Sequence, residues 1–290
     1  KLKILITGGS GFIGSHLSSL LKRKKYDFLS PLSSELNLLD KKMTKQYLIK
    51  NDPKIIFHLA SKGVSKEFSN NVQMNSKNLK MLKNIKNSIN SDALLIVAGS
   101  MSEYGYSGYL SENDECHPKT EYGKSKFSIT KYSLNSRNKN NIRICRIYSV
   151  YGFGEKENRL FPSISIANKE NKFCLLSDGM QKRDFIHVQD VCNCLLKIAL
   201  IPQENEIKIV NIGTGIPLGI KEVAQKYARN IGMNNLYLKF GAIPRAPEDQ
   251  DLIAANTNYL KKLLGFIPPQ RLLNKDISNL FDKNFKIKNF

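Results

Sequence analysis

At 290 residues, with 41% hydrophobic and 24% charged side chains, the chain suffices for one or two domains with a full core, which excludes disordered, collagen-like and low-complexity classes. Forty-five Lys and Arg against 25 Asp and Glu leave a formal charge of +20. The excess is spread along the chain and its one dense run, residues 22–25, falls at a predicted helix end, so no specific nucleic-acid partner is expected, although such a field would favour anionic small substrates.

Residues 2–7 form a short β-branched and apolar run that leads into glycine-rich sequence, the pattern of a buried parallel strand. Phe12, Ile13, Leu17, Leu20 and Leu21 then recur at helical spacing as far as Lys25, and a second short strand is predicted at 27–29. The three elements make a β-α-β unit. Further strands are predicted at 55–59, 94–97 and 142–148, separated by helical patterns around 41–50, 72–89 and 122–135. Strands alternating with helices predict an α/β fold with a doubly wound parallel sheet. After about Gly152 the rhythm changes: turns at Phe161-Pro162, Ser177-Asp178-Gly179 and Ile201-Pro202 interrupt shorter elements, and 207–212 reads as one more strand. Residues 1–152 with 183–213 are therefore expected to form the larger domain. Residues 153–182 with 214–290 are expected to form a smaller, mixed α/β C-terminal lobe over the carboxyl edge of the sheet.

No apolar run, the longest including 93–98, reaches the roughly 20 residues a membrane-spanning helix needs, and Gly8 and Gly9 cut the first apolar run too short for a signal peptide. A cytoplasmic location is expected. Five cysteines without C-x-x-C spacing read as free thiols, and His16, His58 and His117 are scattered without ligand spacing, so no metal site is expected.

The strand-to-helix turn at 7–14 reads T-G-G-S-G-F-I-G. Gly8 permits a tight turn, Gly11 lets the backbone approach a pyrophosphate where Phe12 and Ile13 open the helix, and Gly14 permits close helix packing. The first strand of a β-α-β unit is where such a turn binds a dinucleotide.

With H-L-A-S at 58–61, Y-G-K-S-K at 122–126, R-I-Y-S-V-Y-G at 146–152, R-D-F-I-H-V-Q-D at 183–190 and L-G-F-I-P at 264–268, this turn resembles the extended short-chain dehydrogenase/reductase family. That family contains nucleotide-sugar epimerases, dehydratases and reductases. The resemblance spans nearly the whole chain and implies a Rossmann domain that binds NAD(P), a C-terminal lobe that binds a nucleotide sugar, and a homodimer. No acidic residue ends the second strand, where Ser30, Ser33 and Ser34 stand instead, so NADP is favoured over NAD. By resemblance, Asn37 and Leu38 lie beside the adenine, and Ala60 and Ser61 beside the cofactor's ribose and phosphates.

The resemblance also implies a catalytic set of Ser100, Tyr122 and Lys126. Tyr122 and Lys126, four residues apart, share one helix face. A carbonyl accepting hydride needs a proton donor and polar groups around its oxygen. Tyrosine ordinarily titrates near ~10, and a neighbouring ammonium favours the phenolate. Tyr122 is the expected donor, Lys126 the fixed charge, and Ser100 a hydrogen-bond partner of the substrate oxygen.

Met101 and Ser102 stand where the family's 4,6-dehydratases carry an Asp-Glu pair, which argues against water elimination. Ser102 and Arg159 occupy the places of the cysteine and histidine of fucose-synthase-like enzymes, and Ser149 replaces a common asparagine. Arg183 and Arg245 match the family's arginines for the nucleotide-sugar phosphates, a task suited to guanidinium forks. The stretches 240–245 and 264–266 look like the bacterial subgroup containing CDP-abequose synthase, a 4-ketoreductase. The first reading is thus NAD(P)H-dependent reduction of the C4 ketone of a nucleotide-linked 4-keto-6-deoxysugar. A nucleotide-sugar 4-epimerase with tightly bound NAD is the alternative, followed by a non-catalytic basic Rossmann protein that binds RNA.

Overall fold

In chain order the elements are β1 (Lys3–Thr7), α1 (Phe12–Arg23), β2 (Asp27–Leu29), α2 (Lys41–Asn51), β3 (Ile55–His58), α3 (Val72–Lys86), β4 (Leu94–Ser100), β5 (Gly108–Leu110) and α4 (Glu121–Asn135). There follow β6 (Ile142–Ile147), β7 (Ser149–Tyr151), α5 (Leu160–Lys169), β8 (Cys174–Leu175), β9 (Lys182–His187) and α6 (Val188–Leu200). The chain ends with β10 (Ile209–Ile212), β11 (Pro217–Gly219), α7 (Ile220–Asn230), β12 (Leu238–Lys239), β13 (Leu252–Ala255) and α8 (Asn258–Leu264). This computed structural model describes residues 2–62, 72–135, 141–203 and 206–285.

Six strands form a wholly parallel sheet in the order β10-β6-β4-β3-β1-β2. Its strands are apolar on both faces because both are covered, as a parallel sheet requires. Ile4, Ile6, Ile55, Phe57 and Ile96 meet Leu17, Leu21, Val191 and Leu195 of α1 and α6 on one side. Alternate residues Leu5, Ile56, Leu95 and Val97 meet Leu48, Leu82, Ile85 and Ile129 of α2, α3 and α4 on the other. The fold is Rossmann-like. The chain leaves β1 toward β2 on one side and returns to β3 on the other, so the order reverses at β1, and a crevice opens there at the carboxyl ends.

A second, five-stranded sheet runs β11-β9-β13-β5, with β7 also paired to β9. It builds the other wall of the crevice, over an aromatic core that includes Tyr151, Phe161, Phe185 and Tyr227. All five of its strands are absent from the sequence reading, which took 142–148 as one strand. The chain instead breaks after Ile147, and Ser149–Tyr151 crosses to pair with Phe185–His187. Of the 183–213 segment expected with the larger domain, β9 pairs in the second sheet, while α6 and β10 pack with the first. Strand β4 runs three residues beyond its expected end, which carries Ser100 to the rim of the crevice.

Candidate active site

A cleft of about 1220 Å³ runs between the two sheets. Its floor at one end is the 8–14 turn. Gly8 has φ +75°, and a Cβ there would lie 2.6 Å from the Ala60 nitrogen, while a Cβ on Gly14 would collide with the Gly8 carbonyl oxygen. Gly11 is the N-cap of α1 and no side chain occupies the helix end. The turn is thus a bare backbone concavity at a helix N-terminus, the environment that holds phosphates. Phe12, Ile13, Asn37, Leu38, Ala60 and Ser61 line the same end. Ser61 Oγ is buried with no partner among the described residues, which leaves a donor and acceptor for a ligand. A nicotinamide dinucleotide fits this donor set.

Ser30 is the exception among the expected residues. It does not line the cleft; its hydroxyl is turned against Gly9, where a Cβ would collide with it, whereas Ser33 and Ser34 do face the cleft.

Ser100, Tyr122 and Lys126 all line the cleft. Lys126 is buried, donates to the Ala98 carbonyl at 2.8 Å, and sits 5.8 Å from the centroid of the Tyr122 ring. The two side chains therefore face the same way. Tyr148 and Tyr151 also line the cleft, but burial pushes both phenols far up, so they keep their protons. Tyr122 is half-buried and lies beside the Lys126 ammonium. His58 donates to or accepts from Thr7 Oγ1 at 2.8 Å, and burial, aided by the charge on Lys126, pushes its pKa down to about 3. It is neutral and performs no acid–base work at ordinary pH.

Two features that hold this centre were not singled out from sequence. Gly123 has room for no side chain, since a Cβ would collide with the Ser102 carbonyl oxygen; its absence lets α4 close on the 101–103 turn. Glu103, with no exposed surface, accepts from the Ser100 amide (2.9 Å), Thr130 Oγ1 (2.8 Å) and Arg146 Nε (3.1 Å). It ties the end of β4 to α4 and β6. The signal was present, because Ser-x-x-Glu at 100–103 is the spacing of a capping box, which the structure forms.

Met101, Ser102 and Ser149 border the catalytic group without a carboxylate among them, with Ser149 Oγ 3.8 Å from the Met101 sulfur. Beyond them lie Arg159, Arg183 and Arg245. Arg159 is exposed at the start of α5. Arg183 is buried and pairs with Asp249; Arg245 lies 3.6 Å from Asp249 and 2.7 Å from Asp251. Glu155 also faces the cleft, and burial, against its bond from the Gly152 amide and the charge on Arg159, pushes its carboxyl up to about 7. Asp184 and Asp190 serve the frame. Asp184 accepts from the amides of Thr214, Gly215 and Ala255, and Asp190 pairs with Arg271 at 2.6 Å. Among the described residues no cluster of His, Cys, Asp and Glu could hold a metal, and no helix is long and apolar enough to cross a membrane.

A parallel sheet with this turn and this serine, tyrosine and lysine defines a dinucleotide-dependent enzyme of the epimerase and dehydratase type. Residues 4–213 match the NAD dependent epimerase/dehydratase family, and the chain belongs to it. It is 29% identical over 259 residues to the GDP-6-deoxy-D-talose 4-dehydrogenase of Aggregatibacter actinomycetemcomitans, covering 84% of this chain and 87% of the relative. In fold it is similar to the UDP-glucose 4-epimerase of Thermus thermophilus complexed with NAD, at 20% identity and TM-score 0.78 over 92% of this chain and 94% of that one. It is equally similar to RMD from Pseudomonas aeruginosa complexed with NADPH, at 21% identity and TM-score 0.78 over 94% and 95%.

Proposed function

We propose that the protein reduces the C4 ketone of a nucleotide-linked 4-keto-6-deoxysugar with NAD(P)H. The reading is supported by one observation: Ser100, Tyr122 and Lys126 line one cleft while Met101 and Ser102 leave the positions after Ser100 without an acid–base pair. The 4-dehydrogenase name of the Aggregatibacter relative supports it. When bound, the nicotinamide supplies the hydride. The chain's own residues do the rest: Ser100 holds the C4 oxygen in place, and Tyr122 gives it a proton as charge develops there. Lys126, anchored on the Ala98 carbonyl, keeps a positive charge beside the resulting phenolate. The ketone gains one hydride and one proton and becomes an alcohol.

In this reading residues 1–152 with 183–213 bind NAD(P), preferably NADP, and residues 153–182 with 214–290 bind the nucleotide sugar. Arg159, Arg183 and Arg245 receive the diphosphate, with Asp249 holding two of the guanidinium groups ready until the phosphates arrive. The enzyme is a cytoplasmic homodimer. A panel of nucleotide-linked 4-keto-6-deoxysugars with NADH and NADPH tests the proposal through absorbance of the reduced nicotinamide. One NAD(P)H is consumed per sugar in a reduction. Turnover of a nucleotide sugar without net consumption would identify a 4-epimerase instead.

A further inference from the structure

Strands β8 and β12 make a two-stranded parallel ribbon along one side of the aromatic core. Cys174 and Leu238 are partners in register and both are buried in that core. Side chains alternate along a strand, so the residues on either side of this pair point outward. Phe173 packs on Tyr237 with ring centroids 5.4 Å apart, and Leu175 is paired with Lys239, whose Nζ lies 4.4 Å from the Phe173 centroid. Leu236 adjoins them and is 74% exposed, against 58% for Phe173 and 55% for Leu175. An apolar group gathered on one exposed face marks an interaction site, whereas scattered single residues do not. None of these five residues lines the cleft, so catalysis makes no use of the face.

Charge and size together indicate what covers it. Residues 171–177 and 229–247 contain no Asp or Glu, while Lys172 and Lys239 stand on the ribbon and Arg229 reaches the Asn235 amide at 3.1 Å. Glu170, just before the ribbon, pairs with Lys172 at 2.9 Å. The occupant is therefore anionic, and a second copy, itself carrying +20, is repelled. Five outward side chains also fall far short of the roughly 20–30 residues a side of a stable protein–protein interface. A bilayer needs no matching patch. Rings and leucines enter at headgroup level while ammonium groups stay among the phosphates, each basic residue raising affinity about fivefold on an anionic surface.

We propose that the outward face of the β8–β12 ribbon, centred on Phe173 and Tyr237, docks the protein peripherally on an anionic phospholipid bilayer. Cosedimentation with vesicles of phosphatidylcholine alone, or mixed with phosphatidylglycerol, at physiological ionic strength tests it. The protein sediments with the anionic vesicles and not with the neutral ones. Phe173→Ser combined with Leu236→Ser weakens that binding at least about tenfold, because two inserted apolar side chains are lost. Lys22→Ser with Lys24→Ser, at the end of α1, leaves it within about twofold, since charges beyond a Debye length of the surface contribute little. No binding to anionic vesicles overturns the proposal, as does equal binding by the Phe173/Leu236 variant and the parent, which would mark unspecific attraction by the overall charge. Self-association relieved by the same variant, without vesicle binding, assigns the face to a second copy and also overturns it. The chain has no tryptophan, so Tyr237→Trp supplies a sole reporter that needs no loss of the face. Its emission shifts to the blue on anionic vesicles and is quenched by brominated lipid; unchanged emission refutes insertion even if the serine variant fails to fold.

Discussion

Replacing Glu103 by leucine removes an acceptor shared by three donors that belong to three different elements. Arg146 is 2% exposed, and its remaining neighbours are the Glu112 carbonyl at 3.4 Å, the Cys116 sulfur at 3.2 Å and the face of Tyr104 at 4.5 Å. None of these carries the charge that Glu103 supplies. Removing one member of a buried ion pair costs about 3–5 kcal/mol, because the other charge is left uncompensated in a dry site. Glu103→Leu is therefore expected to lower the unfolding free energy by about 4 kcal/mol, read as a fall in the urea midpoint. Glu103→Gln keeps one acceptor oxygen and should lose less, about 1–3 kcal/mol. The decisive comparison adds Arg146→Leu to Glu103→Leu. With no orphan charge left, the double variant should lose at least ~2 kcal/mol less than the sum of the two single variants. Additive losses, or a Glu103→Leu variant within ~1 kcal/mol of the parent, would refute the view that this ion pair braces the catalytic strand.

Tyr122→Phe should abolish turnover while NADPH binding, followed by cofactor fluorescence, stays within about threefold; normal turnover would remove Tyr122 from the mechanism. Gly14→Ala places a Cβ against the Gly8 carbonyl oxygen and 2.7 Å from Gly9 Cα, so α1 must move off the turn. Overpacking of this kind costs about 1–3 kcal/mol, and both the melting temperature and the affinity for a dinucleotide should fall together. His58 titrates near 6.5 when free but at about 3 in the folded protein, so the folded state favours the neutral ring. Its contribution to stability is complete above pH 6.5 and drains as the pH falls toward 3, at about 1.4 kcal/mol per pH unit. His58→Asn should flatten the pH–stability profile by that slope over that window, and an unchanged profile would count against a neutral buried His58.

The first 150 residues were largely legible because their signals are local. A strand such as Ile4-Leu5-Ile6, buried on both faces, shows as a continuous apolar run, and a helix such as α1 shows as a 3.6-residue stripe. The glycine turn and the Tyr122–Lys126 spacing are likewise set within a few residues, so their place in the cleft follows from where strands end. Ser30 shows the limit of such reading: its residue type suited the cofactor, but the direction of one side chain depends on Gly9 across the turn. The second sheet could not be read at all. Strands β5, β7 and β11 have three residues each, and they exist only because β9 and β13, distant in sequence, offer edges to pair with. The same holds for the pairing of Arg183 and Arg245 with Asp249 and for Glu103 reaching Arg146 across two strands. What the chain's own order determined was the sheet and the residue types of the chemistry. Long-range packing decided which polar groups are partnered and which are left for a ligand, because satisfaction of a buried group depends on neighbours that no local spacing specifies.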